Sequence, residues 1–498
     1  MTDRFGMTDL KVVFAQKNYD FRLGEFLANA KRHNVDILDH DDTLPTWDPI
    51  LNILVSTDDV HNLKKVVNDC LLVRYIYREQ FYGTEDQFHA YIRENTPIME
   101  GDNLMVDNYQ REIDPDLKKK IFHACGDPKL GEETVYVCRT VQYNISRTNS
   151  FAGEDPDKFM FSFGILECEQ GRNASQAIIG KLALNRRPFI GTTSLDPLWA
   201  LLMCRIARVK PGSVVYDCFC GTGSVIITAA MLGAHVIGTE LDVRWLNGRI
   251  GEKYTHTGEV HTVADNFKEL GLPEPVVARG NAAYPVLRSG IVDAIICDPP
   301  YGKRVGIGHA DGGYVDGWMS CMRSSISLIQ ETIFYQQSVL KLGGLFLFLA
   351  PHPTIYPFTV DDYETYCKNT KKQTSAEMVE AIGNLQPISR SKIVELFLPT
   401  ESNMHVVGTY TQTMGLGGSR TLVVLEKRDT LCVIDTEDYD ERCEAISTHE
   451  QLGLMIKPVK SKIRPVKLWR KQVKKMYNCF LGMGTPTHKL PISVSPQT

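Results

Sequence analysis

The chain has 498 residues, of which 43% are hydrophobic and 23% are charged, and its formal net charge is −5 at pH 7. This length exceeds one ordinary hydrophobic core and predicts about two to four domains at roughly 150 residues each. The composition excludes a disordered or fibrous chain, and the charge excludes a uniformly basic protein but not a protein with one basic face.

Targeting signals and metal motifs are missing from the sequence. No apolar run reaches the roughly 18 residues of a membrane span, and the N-terminal residues lack the pattern of a signal peptide. We therefore expect a soluble, cytoplasmic protein with no membrane partner. The thirteen cysteines form no Cys-x-x-Cys pair, which indicates neither a disulfide framework nor a zinc ribbon. We expect a reducing compartment and no metal site.

The first part of the chain, residues 1–190, mixes strand-like and helix-like runs. The runs VRYIYREQFYG, TVYVCRTVQYNIS and KFMFSFGILE are β-rich, whereas RLGEFLANAKRH has a helical pattern. This arrangement predicts one or two α+β modules. Two basic clusters, Lys118 to Lys120 and Arg186 with Arg187, are either solvated faces or contacts for nucleic acid.

The second part, residues 191–428, alternates short apolar runs with helix-length segments from about residue 212. This alternation predicts a largely parallel sheet that is covered on both faces. The predicted strands are SVVYDC, HVIGTE, PVVARGN, IVDAIICD, GLFLFLAP, KIVELFLP and RTLVVLEK. The last two have no obvious helix between them, so we expect them to form an antiparallel pair at one edge.

The remaining residues, 429–498, are predicted to be a C-terminal extension that is partly disordered. Its segment 457–475, KPVKSKIRPVKLWRKQVKK, is basic and contains one aromatic residue. Such a segment is either a solvated tail or a clamp for a nucleic-acid backbone.

A glycine-rich turn follows the first strand of the predicted sheet. The segment VVYDCFCGTGSVIITAAML places Asp217, Gly221, Thr222 and Gly223 between a strand and a helix, and Glu240 ends the next apolar run. Glycines there let the backbone approach a ligand closely, and an acid at the tip of the second strand can bind ribose hydroxyls. The pattern predicts a site for a nucleoside-type cofactor, although a tight turn that packs helix on strand has the same glycines.

The residues around the turn favour one cofactor. The dinucleotide fingerprint needs a third glycine where this chain has Ile226, and the Asp217 carboxylate would repel a pyrophosphate. A carboxylate can instead accept a hydrogen bond from an ammonium group, directly or through water. S-adenosylmethionine carries an ammonium group and no phosphate, so it fits better. Asn281, which follows the next apolar run, is a candidate contact for the adenine edge.

The motif Asp298, Pro299, Pro300 and Tyr301 follows the fourth predicted strand. The carboxyl end of that strand is expected beside the first strand, facing the cofactor. The Asp298 side chain and the Pro299 carbonyl would accept both N–H bonds of an exocyclic amino group on a base, and the prolines would keep these acceptors rigid. Tyr301 would stack on the extruded base. The motif predicts methyl transfer to that amino group; by itself it also fits a stiff turn.

At this point the sequence resembles a known family. The string NRRPFIGTTSLDPLWALLMCRIARVKPGSVVYDCFCGTGS, followed by GTELD, ADNFKELGL and DPPYGKR, is similar to the eukaryotic tRNA guanine-10 N2-methyltransferases. The likeness is best over residues 185–304 and looser over 9–184 and 305–428. It implies a Rossmann-like, seven-stranded class I methyltransferase sheet preceded by an α+β THUMP-type RNA-binding module. It also implies S-adenosylmethionine as donor and the N2 amino group of guanosine 10 in tRNA as acceptor.

The resemblance extends to a partner and to further residues. It implies that this chain is the catalytic subunit of a heterodimer with a small zinc-binding activator subunit. It supports the roles of the motif residues named above and suggests that Thr193 and Ser194 contact the donor's carboxylate end. Two residues depart from the family pattern. Cys218 replaces a proline, which loosens the turn slightly, and Asn281 replaces an aspartate, which weakens its assignment to adenine.

Three other functions share part of this pattern. The Asp-Pro-Pro-Tyr motif alone also permits a DNA adenine or cytosine amino-methyltransferase, but the α+β first part and the segment GTTSLD favour RNA. A noncatalytic RNA-binding subunit would have no reason to keep Asp298, Tyr301 and the glycine turn. A nicotinamide-dependent enzyme is disfavoured by Ile226 and by the motif.

Overall fold

The computed structural model describes most of the chain. The residues described are 6–15, 18–40, 50–95, 102–108, 115–126, 135–142, 159–169, 174–249, 258–301, 318–355, 388–414 and 418–455, with short stretches between 360 and 383. The chain divides into two units. The first consists of Met1–Arg186 and Pro197–Lys210, and the second of Arg187–Asp196 and Pro211–Thr498.

The first unit is built on a seven-stranded sheet with the order β2-β3-β1-β4-β7-β6-β5. The strands are β1 Met7–Phe14, β2 Ile37–His40, β3 Ile50–Ser56, β4 Val73–Thr84, β5 Asn103–Asn108, β6 Val135–Gln142 and β7 Phe159–Glu169. Every neighbouring pair is antiparallel except β5 and β6, which are parallel. The three β-rich runs predicted in this part of the chain are β4, β6 and β7, as expected.

Helices cover this sheet and carry much of its core. They are α1 Arg22–Arg32, α2 Leu63–Asp69, α3 Glu85–Asn95, α4 Pro115–Ala124, α5 Ala174–Lys181 and α6 Pro197–Ile206. Phe26 of α1 packs edge-on against Phe14 of β1, with ring centroids 6.2 Å apart. Asp69, at the end of α2, accepts charged hydrogen bonds from both α1 and α6, so these three helices are held together by one carboxylate. Helix α6 therefore belongs to the first unit although it follows the segment GTTSLD in sequence.

The second unit contains another seven-stranded sheet, with the order β10-β9-β8-β11-β12-β14-β13. Its strands are β8 Val214–Asp217, β9 His235–Glu240, β10 Val276–Arg279, β11 Val292–Cys297, β12 Leu340–Pro353, β13 Glu401–Thr413 and β14 Gly418–Val433. The first five are parallel in the doubly wound order, and β14 runs antiparallel to both of its neighbours. The predicted seven-stranded, Rossmann-like sheet is confirmed.

Continuous apolar runs form β11 and β12, which lie in the middle of this sheet. Residues of both strands are buried on both faces, as expected for parallel strands that are covered by helices on each side. The helices are α7 Ser224–Met231, α8 Val243–Leu246, α9 Val263–Glu269, α10 Trp318–Gln336, α11 Ala376–Gly383, α12 Arg390–Glu395 and α13 Tyr439–Met455. The strand order reverses between β8 and β11, which places the ligand-binding edge of such a sheet at their carboxyl ends.

One predicted strand is wrong. Half of the run KIVELFLP lies in α12 and the rest follows it without forming a strand, and the antiparallel edge pair is formed by β13 and β14 instead. The run is buried almost throughout, and a short continuous apolar run does not distinguish a buried helix from a buried strand. The deciding local signal is Ser389, whose side chain caps the helix by accepting from the backbone N–H of Lys392 at 3.3 Å.

The C-terminal part is described only to residue 455. Strand β14 continues to Val433 and α13 follows it, while the basic segment 457–475 lies outside the described residues. Within the described part, no helix is both long enough and apolar enough to cross a membrane.

Candidate active site

The turn between β8 and α7 requires glycine at two positions. Gly221 and Gly223 have φ of +50° and +79°, in the left-handed region that favours glycine. A Cβ atom at Gly223 would lie 2.7 Å from Cγ1 of Val263, so space as well as backbone conformation excludes a side chain there. The Gly223 N–H donates to the carbonyl of Cys220 at 2.8 Å and closes the turn. The result is a loop whose backbone is open to close approach by a ligand.

Glu240 links this loop to the neighbouring strand. The residue ends β9, and its Oε2 accepts a hydrogen bond of 2.9 Å from the Gly221 N–H. Its Oε1 accepts from the backbone N–H of Asp242 at 3.0 Å. A carboxylate has about four acceptor sites, so both oxygens keep capacity for hydroxyl donors. Glu240 is therefore held at the loop with spare acceptor capacity, which the predicted contact with ribose hydroxyls requires.

Asn281 lies at the end of the next strand, β10. The preceding residue, Gly280, donates its N–H to the carbonyl of Glu240 at 3.1 Å, so the two strand ends are adjacent. The Asn281 side chain is exposed, and its Oδ1 accepts from the backbone N–H of Ala283 at 3.1 Å. Its side-chain NH2 group can donate to a ligand at this edge.

Asp217 ends β8 and is only 2% exposed. Burial raises the pKa of its carboxyl group to about 8, and the charges of Glu240 and Asp298 raise this pKa too. The backbone N–H of Phe219 donates to Oδ1 at 2.9 Å and acts to lower the pKa. Alone, the group is mostly protonated at neutral pH. A cation placed beside it would favour the carboxylate, which is the chemistry expected for binding an ammonium group.

The segment GTTSLD lies against the same loop. Ser194 Oγ is 2.7 Å from Thr222 Oγ1 and also accepts from the backbone N–H of Gly191 at 2.9 Å. Thr193 is exposed next to it. Ser194 thus contacts the loop directly, and Thr193 is its neighbour in sequence. The prediction for both residues is a contact with the donor's carboxylate end.

Arg187 has a role that the sequence did not indicate. Its side chain is buried, with Nη2 donating to the carbonyl of Thr222 at 2.6 Å and Nη1 donating to Ser224 Oγ at 2.9 Å. Burial lowers the pKa of the guanidinium group to about 10, so it remains charged at pH 7. Neither interpretation of this basic pair, a solvated face or a nucleic-acid contact, holds for Arg187, whose buried side chain supports the glycine loop. Arg186 is exposed.

The Asp-Pro-Pro-Tyr motif lies beside the loop, as predicted. Strand β11 pairs in parallel with β8, which brings Asp298 to the strand end next to Asp217. Tyr301 Oη donates to Asp298 Oδ1 at 2.5 Å. The Pro300 carbonyl accepts from Ser325 Oγ of α10 at 3.3 Å, which fixes the motif against that helix. The two groups predicted to receive a base are thus already in contact with each other.

A second arginine completes this group and was missed from the sequence. Arg420 of β14 donates from Nη1 to Tyr301 Oη at 3.4 Å, and the same nitrogen is 3.7 Å from Asp298 Oδ2. Burial raises the pKa of Asp298, while the charge of Arg420 and the hydrogen bond from Tyr301 act to lower it. Arg420 follows Tyr301 by 119 residues, so spacing gave no signal. The one hint was an arginine inside the apolar strand GSRTLVVLE.

A family profile matches this part of the chain. It is described as UPF0020, an RMKL-like methyltransferase domain, and it covers residues 185–313, which include the segment GTTSLD, the glycine loop and the Asp-Pro-Pro-Tyr motif. The chain carries a methyltransferase domain.

Curated relatives agree with the methyltransferase domain. The tRNA (guanine(10)-N(2))-methyltransferase of Xenopus laevis is 36% identical over 165 residues, which are 30% of this chain and 33% of that protein. The Saccharomyces cerevisiae enzyme of the same name is 28% identical over 229 residues, 41% of this chain and 49% of the relative. The matches span a third to a half of these relatives. They confirm the resemblance to this family over the matched segments.

One solved structure that aligns with most of this chain is TrmN from Thermus thermophilus. The alignment covers 84% of this chain and 99% of TrmN, with 16% identity and a TM-score of 0.38. The fold is assigned from the strand order of the sheet.

Proposed function

We propose that the chain transfers a methyl group from S-adenosylmethionine to the N2 amino group of guanosine 10 in tRNA. The observation that carries the proposal is the side-by-side placement of two motifs: the glycine loop after β8 and the Asp298–Tyr301 pair after β11. One motif suits the donor and the other suits an exocyclic amino group. The names of the curated relatives support the choice of tRNA and of guanine N2.

The residues at the loop fit S-adenosylmethionine better than a dinucleotide. Ile226 occupies the position of the third fingerprint glycine and is fully buried in α7, and the Asp217 carboxyl group offers no positive charge to a pyrophosphate. Asp217 would hold the ammonium group and Glu240 the ribose hydroxyls. When bound, the cofactor supplies an electrophilic methyl group.

Other donor contacts extend along the loop. Gly221 and Gly223 would admit the cofactor to the backbone, next to Thr222, whose hydroxyl already meets Ser194. Thr193 and Ser194 would contact the carboxylate end, and Asn281 the adenine edge. These roles follow from the positions of the residues and from the family resemblance.

The acceptor side works through hydrogen bonds and stacking. The amino group of guanine is a poor nucleophile because its lone pair is delocalised into the ring. Asp298 and the Pro299 carbonyl would accept its two N–H bonds and orient the nitrogen, while Pro300 keeps the backbone rigid and the ring of Tyr301 stacks on the base. No strong base is needed, because the amine becomes far more acidic as it gains the methyl group.

Substrate docking and assembly belong to the same proposal. The first unit would act as the THUMP-type RNA-binding module, with the exposed Lys118 to Lys120 of α4 as candidate phosphate contacts. A small zinc-binding activator subunit would complete a cytoplasmic heterodimer. The family resemblance supports these points.

The decisive experiment is a methylation assay with the full chain, labelled S-adenosylmethionine and unmodified tRNA, with and without the candidate activator. Nucleoside mass spectrometry should detect N2-methylguanosine, and a tRNA with adenosine at position 10 should remain unlabelled. Methylation of adenine or cytosine, or binding of a nicotinamide dinucleotide in place of S-adenosylmethionine, would contradict the proposal.

A further inference from the structure

Arg420 occupies an unusual place for a charged side chain. It lies on β14, an inner strand, where it pairs with Pro351 of β12 on one side and Gln412 of β13 on the other. The side chain is almost fully buried, and its Nε donates to Gln412 Oε1 at 2.6 Å. Its Nη1 is the atom that reaches Tyr301 and Asp298. One guanidinium group thus connects the edge of the sheet to the base-binding motif.

We infer that Arg420 is a positioning residue for methyl transfer, which holds the Asp298 carboxylate and the Tyr301 hydroxyl in the arrangement that receives the guanine amino group. The inference rests on the proposed function. Arg420 would act through these two residues and would not itself touch the reacting atoms. Its planar, permanently charged group can serve two neighbouring oxygen atoms at once, which an ammonium group does less well.

The first argument is about charge. An ionised Asp298 accepts an N–H bond more strongly than a protonated one, and burial works against ionisation. Among the described residues, the other titratable groups near Asp298 are Tyr301, Asp217 on β8 and the Cys297 thiol, and an ionised Asp217 would repel its charge. Arg420 is the cation that acts on Asp298, and Asp196 in turn acts on Arg420. Removing the guanidinium group would leave a buried acid among other acids.

The second argument is about geometry. Tyr301 Oη takes one acceptor position on Asp298 Oδ1 and Arg420 Nη1 lies 3.7 Å from Oδ2, so an incoming amino group must share this carboxylate with both side chains or displace the hydroxyl. When the hydroxyl leaves, Arg420 Nη1 is already 3.4 Å away and can donate to it. The tyrosine therefore keeps a partner as its ring turns toward the base. Arg420 would hold the pair together before the base arrives and keep both groups placed afterwards.

A structural role for Arg420 is the competing explanation, since its bond to Gln412 also ties β14 to β13. The two roles differ in what a substitution changes. A positioning role predicts a loss in kcat and a changed pH profile with donor binding intact. A structural role predicts that thermal stability and donor binding fall together with kcat.

The test compares Arg420→Met and Arg420→Lys with Arg428→Met. Arg428 lies on the same strand but is about half exposed and pairs with Glu426, so it is a matched control. With full chain and unmodified tRNA, Arg420→Met should lower kcat about a hundredfold. The Kd for S-adenosylhomocysteine should stay within about twofold of the wild-type value. Arg420→Lys should recover part of the loss, and Arg428→Met should behave as wild type.

The pH profile of kcat distinguishes the two roles, because a purely structural role of Arg420 would leave this profile unchanged. Because Arg420 lowers the pKa of Asp298, its loss should raise that pKa further and shift the acid limb of kcat to higher pH. Arg420→Lys should shift this limb less than Arg420→Met. If Arg420→Met does not fold, two other variants decide. Gln412→Leu removes only the side-chain bond between Arg420 and β13. An unchanged kcat and an unchanged acid limb in Arg420→Lys, together with wild-type kcat in Gln412→Leu, would overturn the inference.

Different results would reject the proposed function and the proposed role of Arg420. If the wild-type chain methylates no guanosine with or without the activator, the proposed function is wrong. If the wild-type chain is active and Arg420→Met keeps its kcat and pH profile, only the role of Arg420 is wrong. Parallel losses of kcat, thermal stability and S-adenosylhomocysteine binding in both Arg420 variants would also reject a positioning role.

Discussion

The hydroxyl group of Tyr301 donates a hydrogen bond of 2.5 Å to the Asp298 carboxylate. The two groups expected to bind a base therefore satisfy each other while no base is present. The Tyr301 hydroxyl takes one of the acceptor positions on Asp298 that a base would use, so the ring and the hydroxyl of Tyr301 have opposite effects on binding. The ring offers stacking, whereas the hydroxyl competes for the acceptor.

Substitutions at Tyr301 should separate these two effects. Tyr301→Ala removes the stacking surface, worth about 1 to 3 kcal/mol per base, so we expect the KM for tRNA to rise about tenfold or more. Tyr301→Phe keeps the ring and removes the competing hydroxyl group, so this KM should stay the same or fall. Steady-state kinetics with tRNA as the varied substrate will measure the difference, and the Kd for S-adenosylhomocysteine should be unchanged in both variants. A loss of donor binding in Tyr301→Ala would show that the loop is structural instead.

Asp298→Ala should abolish methyl transfer and leave donor binding largely intact. The carboxylate is proposed to orient the amino group, and losing one such preorganised partner typically costs about 10² to 10³ in kcat. Single-turnover assays will measure the chemical step, and titration calorimetry with S-adenosylhomocysteine will measure donor binding. Transfer at the wild-type rate would remove Asp298 from the mechanism.

Asp217 should make donor binding depend on pH. Its pKa is raised to about 8 in the free protein, so near neutral pH the group must lose its proton before it can hold an ammonium group as a carboxylate. Donor affinity should therefore rise as the pH increases from about 6 toward neutrality, with release of up to about one proton per binding event. Calorimetry in buffers of different ionisation enthalpy will count the protons. Asp217→Asn should bind the donor more weakly and release none from this site; equal proton release in both proteins would contradict the role.

Much of the donor site could be predicted from the sequence because its parts are local. The alternation of strands and helices fixes a parallel sheet, and crossover connections of one hand then place the carboxyl ends of β8 and β11 together. Asp217 and Asp298 each lie directly after such a strand, so their neighbourhood followed from the order of the runs. The same reasoning located Glu240 and Asn281 on the next two strand ends.

The residues that were missed depend on burial or on distant pairing. Arg187 and Arg186 are adjacent in sequence, yet one is buried under the loop and the other is exposed, a difference that composition does not encode. Arg420 reaches Asp298 only because β14 inserts antiparallel between β12 and β13, and no local pattern specifies that insertion. Contacts of this kind come from the tertiary arrangement of the sheet.

The crowding at Gly223 should distinguish it from other left-handed glycines. Gly223→Ala meets both an unfavourable φ and the stiff, β-branched Val263, so we expect a loss of about 2 to 5 kcal/mol in stability and much weaker donor binding. Gly212 also has a left-handed φ, of +81°, but a Cβ atom there meets nothing within 4 Å. Gly212→Ala should therefore cost only about 1 to 2 kcal/mol and leave donor binding unchanged. Urea denaturation and calorimetry will compare the two; equal effects would mean that crowding against Val263 is unimportant.

The carboxylate of Asp69 should be a main electrostatic support of the first unit. Its Oδ1 lies 2.8 Å from Nη2 of the buried Arg205, and its Oδ2 contacts Arg32 and His33. Asp69→Ala would leave Arg205 buried without this partner, so we expect a loss of about 2 to 3 kcal/mol in the free energy of unfolding. Asp116→Ala removes a carboxylate from a largely exposed pair with Lys119 and should cost less than about 1 kcal/mol.

The pH dependence of the Asp69 contribution has a definite sign. Burial acts to raise the pKa of Asp69, but Arg205, His33 and Arg32 outweigh burial and lower it below the ordinary value of 3.8. A group whose pKa is lower in the folded state stabilises that state above its unfolded pKa, and the contribution is lost as the pH falls through the folded pKa. The stability difference between wild type and Asp69→Ala should therefore be constant above about pH 5 and shrink below about pH 4. Urea denaturation at several pH values will measure it, and a difference that grows on acidification would contradict the assigned network.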